Sequence, residues 1–140
     1  MRITFDTNII LDNLLQRELF IDHSTRALEL ARTGKITGYI TANSVTDIYY
    51  FTNKAIRDDQ KVRLILRKML QSFKIIDVFY RDIQMALASP MSDFEDALLA
   101  ACAKRVKSDY ILTRNVDDFA DSPVAALTPE VFLKQIPIEN

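Results

Sequence analysis

The apolar positions of this chain change period repeatedly, and the alternation predicts strands and helices in turn. Arg2, Ile3, Thr4, Phe5 and Asp6 form a short β-rich run that ends on a carboxylate. Apolar residues then return at helical spacing, Ile9, Ile10, Leu11, Leu14 and Leu15, behind Thr7 or Asn8 as the cap. A second helix can be capped by Asp22, runs through Ala27, Leu28, Leu30 and Ala31, and stops at Gly34 as its C′ residue. Gly38 to Thr41 reads as the second strand. Asn43 or Ser44 opens a helix marked by Val45, Ile48, Tyr49 and Thr52, with Asp47 expected in its first turn. Asp58 to Ser72 makes the next helix, with Val62, Ile65, Leu66 and Met69 as its stripe and Arg57, Lys61, Arg63, Arg67 and Lys68 on a solvated face. Lys74 to Phe79 is the third strand, and Arg81 to Leu87 a short helix ended by Ser89 and Pro90.

The stretch from Ser92 to Phe119 joins an acid-tipped helix to a strand with an acidic exit. Ser92 with Glu95 three residues on reads as a capping box, which puts Asp93 and Asp96 in the first turn. The residues Ala97 to Ala103 are apolar on all sides, which argues a helix buried between layers. Asp109, Tyr110, Ile111, Leu112 and Thr113 form a short strand, and Arg114, Asn115, Val116, Asp117 and Asp118 are its polar exit. Val124 to Leu127 is a last strand, and Thr128-Pro129-Glu130 an N-cap with proline at the first helical position. Strands alternating with helices imply a mainly parallel sheet covered on both faces.

Composition narrows the function more than the fold. At 140 residues one domain, 1–140, is expected, with 49% hydrophobic and 26% charged residues, as in ordinary globular proteins. No apolar run approaches a membrane span and Met1 leads straight into a strand, so a cytoplasmic protein with no membrane partner is expected. The single Cys102 lies in the most apolar helix and reads as a buried thiol, and the lone His23 has no partner at zinc-ligand spacing. A formal net charge of −1 leaves any nucleic-acid surface local. Glycine occurs only at Gly34 and Gly38, so neither a dinucleotide fingerprint nor a P-loop can be built.

The acids carry the candidate chemistry. Asp6, Asp47, Asp93, Asp96 and the exit Asn115 to Asp118 all fall at strand ends or helix starts, on what should be one edge of the sheet. Asp12, further along its helix, reads as a structural or solvated acid. Converging carboxylates repel, and a divalent cation removes the difficulty. Oxygen donors without His or Cys suit Mg2+ or Mn2+, and such a site most readily hydrolyses phosphodiesters.

FDTNIILD, SVTDIYYF, DFEDALLAACA, YILTRNVDDF and TPEVFL, in this order, closely resemble the PIN-domain family, the fold of VapC-type toxin ribonucleases, and in particular its DFEDA-containing subgroup. The resemblance implies a three-layer α/β sandwich on a mostly parallel five-stranded sheet and a Mg2+- or Mn2+-dependent endoribonuclease acting on single-stranded RNA. It further implies a toxin paired with an antitoxin protein, and family members often form homodimers. It maps Asp6 and Asp96 onto the principal metal ligands, with Asp47 where the family more often has Glu and Asn115 where many members have Asp. Asp93 supplies a second metal or orients Asp96, and Asn115, Asp117 and Asp118 share the candidacy for the fourth position. Thr7, Asn8, Thr113 and Arg114 become the substrate-binding set. Tyr49, Tyr50 and Tyr80 are candidates for base stacking, although aromatics at helical spacing are expected in the core.

Two rival readings stay open. A PIN-like scaffold weakened at Asp47 and Asn115 would serve as an interaction module. A phosphatase of the haloacid dehalogenase type also begins with a strand ending in Asp, but needs a second Asp two residues on, where this chain has Asn8.

Overall fold

The computed structural model describes residues 1–136. Strands β1 (Arg2–Phe5), β2 (Thr37–Thr41), β3 (Lys74–Ile76), β4 (Tyr110–Leu112) and β5 (Ala126–Leu127) form one sheet in the order β3-β2-β1-β4-β5, every neighbouring pair parallel. Helices α1 (Thr7–Leu14), α2 (Ile21–Arg32), α3 (Ala42–Ile56), α4 (Asp59–Leu70) and α7 (Pro129–Gln135) gather over one face. Helices α5 (Tyr80–Leu87) and α6 (Phe94–Arg105) cover the other. The three-layer α/β arrangement is the expected one, and its sheet is parallel throughout.

Strand alternation divides the core in two. Ile3, Phe5 and Leu112 join Ile9, Ile10, Ala27, Ile48 and Phe132 on the α1 side. Ile111 and Ile76 point the other way, into Leu98, Leu99, Cys102 and Ala103 of α6. Helix α6 is buried on all sides along Ala97 to Ala103, because α5 packs on its outer flank. Burial pushes the Cys102 thiol up to about 12, with the nearby Asp82 carboxylate adding to the shift, so it is an inert core group. Asp82 is buried at the start of α5, accepts the Phe79 N–H at 2.9 Å and takes Arg105 Nε at 3.0 Å, which staples α5 to the far end of α6.

Several expected boundaries move. Asp6 itself caps α1 in place of Thr7 or Asn8, and Asp22 lies inside the first turn of α2 rather than before it. Gly34 is the expected C′ residue, left-handed at φ 77°, with its N–H on the Ala31 carbonyl at 3.2 Å. Helix α3 begins at Ala42, which leaves Asp47 in its second turn. Two strands are shorter than the runs expected for them, β3 ending at Ile76 and β5 holding only Ala126 and Leu127. Thr128 caps α7 with Pro129 at its first position, as the sequence predicts. Among the described residues no helix is long and apolar enough to cross a membrane.

Candidate metal centre

Parallel pairing of β1 with β4 sets Phe5 level with Leu112, so the residues just beyond, Asp6 and Thr113, stand side by side. The Asp6 N–H closes the ladder on the Leu112 carbonyl at 2.9 Å. Here the strand order reverses, with β2 on one side of β1 and β4 on the other, the crevice where open α/β sheets bind ligands. Helix α1 leaves β1 from this edge. Helix α6 also starts here, since a helix that feeds a parallel strand runs antiparallel to it.

Asp6 is held by three donors. Its Oδ1 accepts the Thr7 N–H at 2.8 Å, and its Oδ2 accepts the Thr113 hydroxyl at 2.8 Å and Asn8 Nδ2 at 3.4 Å. Buried Thr113 in turn accepts the Asn115 N–H at 3.1 Å, while Asn8 Oδ1 accepts the Arg114 N–H at 3.4 Å. The tip of α1 and the exit of β4 are thereby one hydrogen-bonded unit. Burial pushes the Asp6 carboxyl above its usual range, and the Thr113 and Thr7 donors pull it part of the way back.

The tip of α6 completes the cluster. Asp93, not Ser92, is the cap: it adopts φ −99°, ψ 122° and accepts the Asp96 N–H at 2.9 Å. Asp96 is pushed up to about 6, first by burial and then by the charges of Asp6, Asp93 and Asp118. Asp118 reaches this neighbourhood because a 3₁₀ turn, Val116–Phe119, follows β4 and the Asp118 N–H bonds the Asn115 carbonyl at 3.0 Å. Asn115 itself is exposed and contributes backbone groups to that turn. Asp117 is exposed and is not among the charges acting on Asp96.

Glu95 is the acid that sequence reasoning missed, having been assigned only to the capping box. Its carboxyl is pushed up to about 7, first by its contact with the Asp47 carboxyl, then by burial and by the charges of Asp47, Asp93 and Asp96. The two carboxyls thus bring the second turn of α3 beside the tip of α6. Two of the aromatics depart from the core expectation, Tyr50 and Tyr80 being exposed, whereas Tyr49 packs against the core and its hydroxyl donates to Asp59. Asp12 is wholly buried rather than solvated, and Arg114 turns its guanidinium to it, Nε to Oδ2 at 2.9 Å.

The donor set fits a hard divalent cation. All of its side-chain ligands are oxygen, and the charges that raise Asp96 are ones a cation would offset. Among the described residues no three His, Cys, Asp or Glu stand close enough together to hold a metal ion by themselves.

A family model described as PIN domain matches residues 2–117. No curated protein matches the sequence. Among solved structures, VapBC2 of Rickettsia felis, bound to a DNA fragment from its promoter, contains a similar chain. It is 19% identical with a TM-score of 0.72, over 91% of this chain and 98% of that one. A toxin-antitoxin complex from Klebsiella pneumoniae matches at 24% identity and TM-score 0.66, over 90% and 96% of the two chains. FitAcB from Neisseria gonorrhoeae matches at 19% and 0.67, over 91% and 98%. At these identities the likeness is one of fold.

Proposed function

Because this chain belongs to the PIN domain family, we propose that it is a Mg2+- or Mn2+-dependent endoribonuclease hydrolysing phosphodiester bonds of single-stranded RNA. One observation carries the reading: Asp6 just beyond β1, and Asp93 and Asp96 at the start of α6, lie at the same edge of the sheet, where burial and then the charges of Asp6, Asp93 and Asp118 push Asp96 up. Asp6 and Asp96 would hold the ion, with Asp47, Asp93 and Asp118 completing its shell directly or through water. When bound, a divalent ion acidifies water, neutralises phosphate charge and stabilises the leaving oxygen.

The chain's own residues do the positioning. Thr7 and Thr113 fix both oxygens of Asp6, so the carboxylate meets its ligand without reorganising. Asn8 ties α1 to the exit of β4 and, with Thr7, Thr113 and Arg114, borders the place a substrate phosphate would take. Glu95, pushed up to about 7 by the neighbouring acids, holds its proton near neutrality, and cation binding beside it would displace that proton. The Klebsiella pneumoniae relative is a toxin-antitoxin complex. By extension this chain would be the toxin of such a pair, with an antitoxin protein as partner and a second copy of itself as dimer mate.

Purified protein should cut single-stranded RNA with Mg2+ or Mn2+ and not with EDTA, and Asp96→Asn with an unchanged circular dichroism spectrum should not cut. Cleavage by that variant at the unaltered rate would reject the site. Expression should arrest growth unless the neighbouring gene product is co-expressed, and unaffected growth would argue against a toxin. A scaffold without turnover is the competing reading, favoured by the lack, among the described residues, of three His, Cys, Asp or Glu close enough to hold a metal ion. A melting temperature that ignores millimolar Mg2+ would support it, whereas stabilisation lost in Asp6→Asn would support the enzyme.

A further inference from the structure

Among the described residues, Arg114 is the cation whose charge acts on Asp6, yet its side chain is committed elsewhere. Its backbone follows Thr113, which touches Asp6 at 2.8 Å. Its guanidinium turns to α1, where Nε stands 2.9 Å from Asp12 Oδ2, and the Phe20 ring lies 4.2 Å from its central carbon. The other Asp12 oxygen takes Arg17 Nη1 at 3.2 Å. A left-handed Gln16, φ 54°, reverses the chain after α1, so that the Arg17 N–H also reaches the Asp12 carbonyl at 3.0 Å.

The charge count in this pocket is uneven. One buried carboxylate faces two guanidiniums, and Arg17 alone would neutralise it. The contact with Arg114 is also imperfect: Nε and Oδ2 are both buried and, although 2.9 Å apart, lack the alignment of a hydrogen bond. Confinement between Asp12 and Phe20 therefore holds the guanidinium more than an optimal bond does. Close by lies an acid cluster short of positive charge, to which a freed arginine could bind in bidentate fashion.

We propose that Asp12 is a holding site for Arg114, keeping its guanidinium off Asp6 and Asp96 so that a divalent cation, and not an internal ion pair, neutralises those acids. The proposal rests on the metal-dependent reading above. Asp12 is then a positioning residue acting through Arg114. Without it Arg114 falls onto the acids and competes with the cation. Removing Arg114 as well abolishes the competitor.

The test is Mn2+ binding to the purified full chain, read by calorimetry and by the electron paramagnetic resonance signal of free Mn2+, with no substrate present. Asp12→Asn should weaken binding by about tenfold or more, and Asp12→Asn/Arg114→Gln should return it to within about threefold of the unaltered chain, the signature of direct coupling. Binding by Asp12→Asn equal to that of the unaltered chain, or a deficit that the double variant fails to repair, would overturn the holding site. If Asp12→Asn does not fold, Arg114→Gln alone decides: equal or tighter Mn2+ binding supports the proposal, and binding weaker by about tenfold overturns it. An unaltered chain that binds no Mn2+ overturns the metal-dependent reading and the holding site together.

Discussion

Replacing Asp96 by Asn should stabilise the metal-free chain, yet leave it the less stable of the two once Mg2+ is added. Burial and the charges of Asp6, Asp93 and Asp118 push Asp96 from 3.8 up to about 6, worth about 3 kcal/mol if fully felt. The carboxylate is only half-buried, so solvent screening leaves about 1 kcal/mol of that penalty. The α6 N-terminus acts the other way, and Asn gives up roughly 0.5 kcal/mol of favourable interaction with the helix dipole. Repulsion wins by about 0.5 kcal/mol, or roughly 2 °C in melting temperature. Because the folded value lies above the unfolded one, the penalty is absent below the unfolded value of about 4 and grows as pH rises through about 6. The gain should therefore show at pH ~8 and fade toward pH ~4. Mg2+ at about a hundredfold its dissociation constant adds about 2.7 kcal/mol to a chain that binds it, and the variant lacks this. Scanning fluorimetry of both proteins at the two pH values, with and without Mg2+, reads the reversal. A variant that melts lower without metal at both pH values, and gains as much from Mg2+ as the unaltered chain, would refute the shared charge cluster.

Thr113→Val removes the 2.8 Å donor to Asp6 at nearly constant volume and should slow RNA cleavage by about tenfold or more, with Thr113→Ser retaining most of the rate; equal rates for Val and Thr would make the hydroxyl idle. Gly38→Ala puts a Cβ 2.9 Å from that of Ala31 and 3.0 Å from the Phe73 ring, an overpacking of about 1–3 kcal/mol that a lowered urea midpoint would report. An unmoved midpoint would mean that β2 and α2 pack more loosely than described. Arg105→Met leaves buried Asp82 without its ion partner and should cost about 3–5 kcal/mol. Since Arg105 ends α6 far from Asp96, the Mg2+ concentration giving half-maximal cleavage should not move where the variant is folded, and a shift in it would tie the staple to the site.

The fold was legible because its signals are local. Ile9 to Leu15, the run Ala97 to Ala103 and Thr128-Pro129 each announce an element within a few residues, and alternation of strands and helices then leaves a parallel sheet as the economical solution. The placement of Asp6, Asp93 and Asp96 in the candidate site was legible for the same reason, since they sit at the ends of those elements. What escaped depended on atoms far apart in sequence. Ser92 and Asp93 are equally good caps chemically, and only the path of the chain into α6 selects Asp93. Glu95 looked like a capping partner because nothing in its own segment points to Asp47, 48 residues earlier on another helix. Asp12 could be read only as structural or solvated, and what decides for the structural role, Arg114 and Arg17 closing over it, lies outside its own segment. Tyr50 and Tyr80 read as core by spacing, and periodicity alone does not say which helix face the rest of the chain leaves open.

A crystal of the full chain grown with MnCl2 and measured for anomalous scattering from manganese bears most directly on the claim that one cation joins the two central acids. The expected result is a peak in the β1–β4 crevice within ligand or single-water reach of both Asp6 and Asp96. A peak that touches neither carboxylate, or an empty crevice at saturating Mn2+, would contradict it.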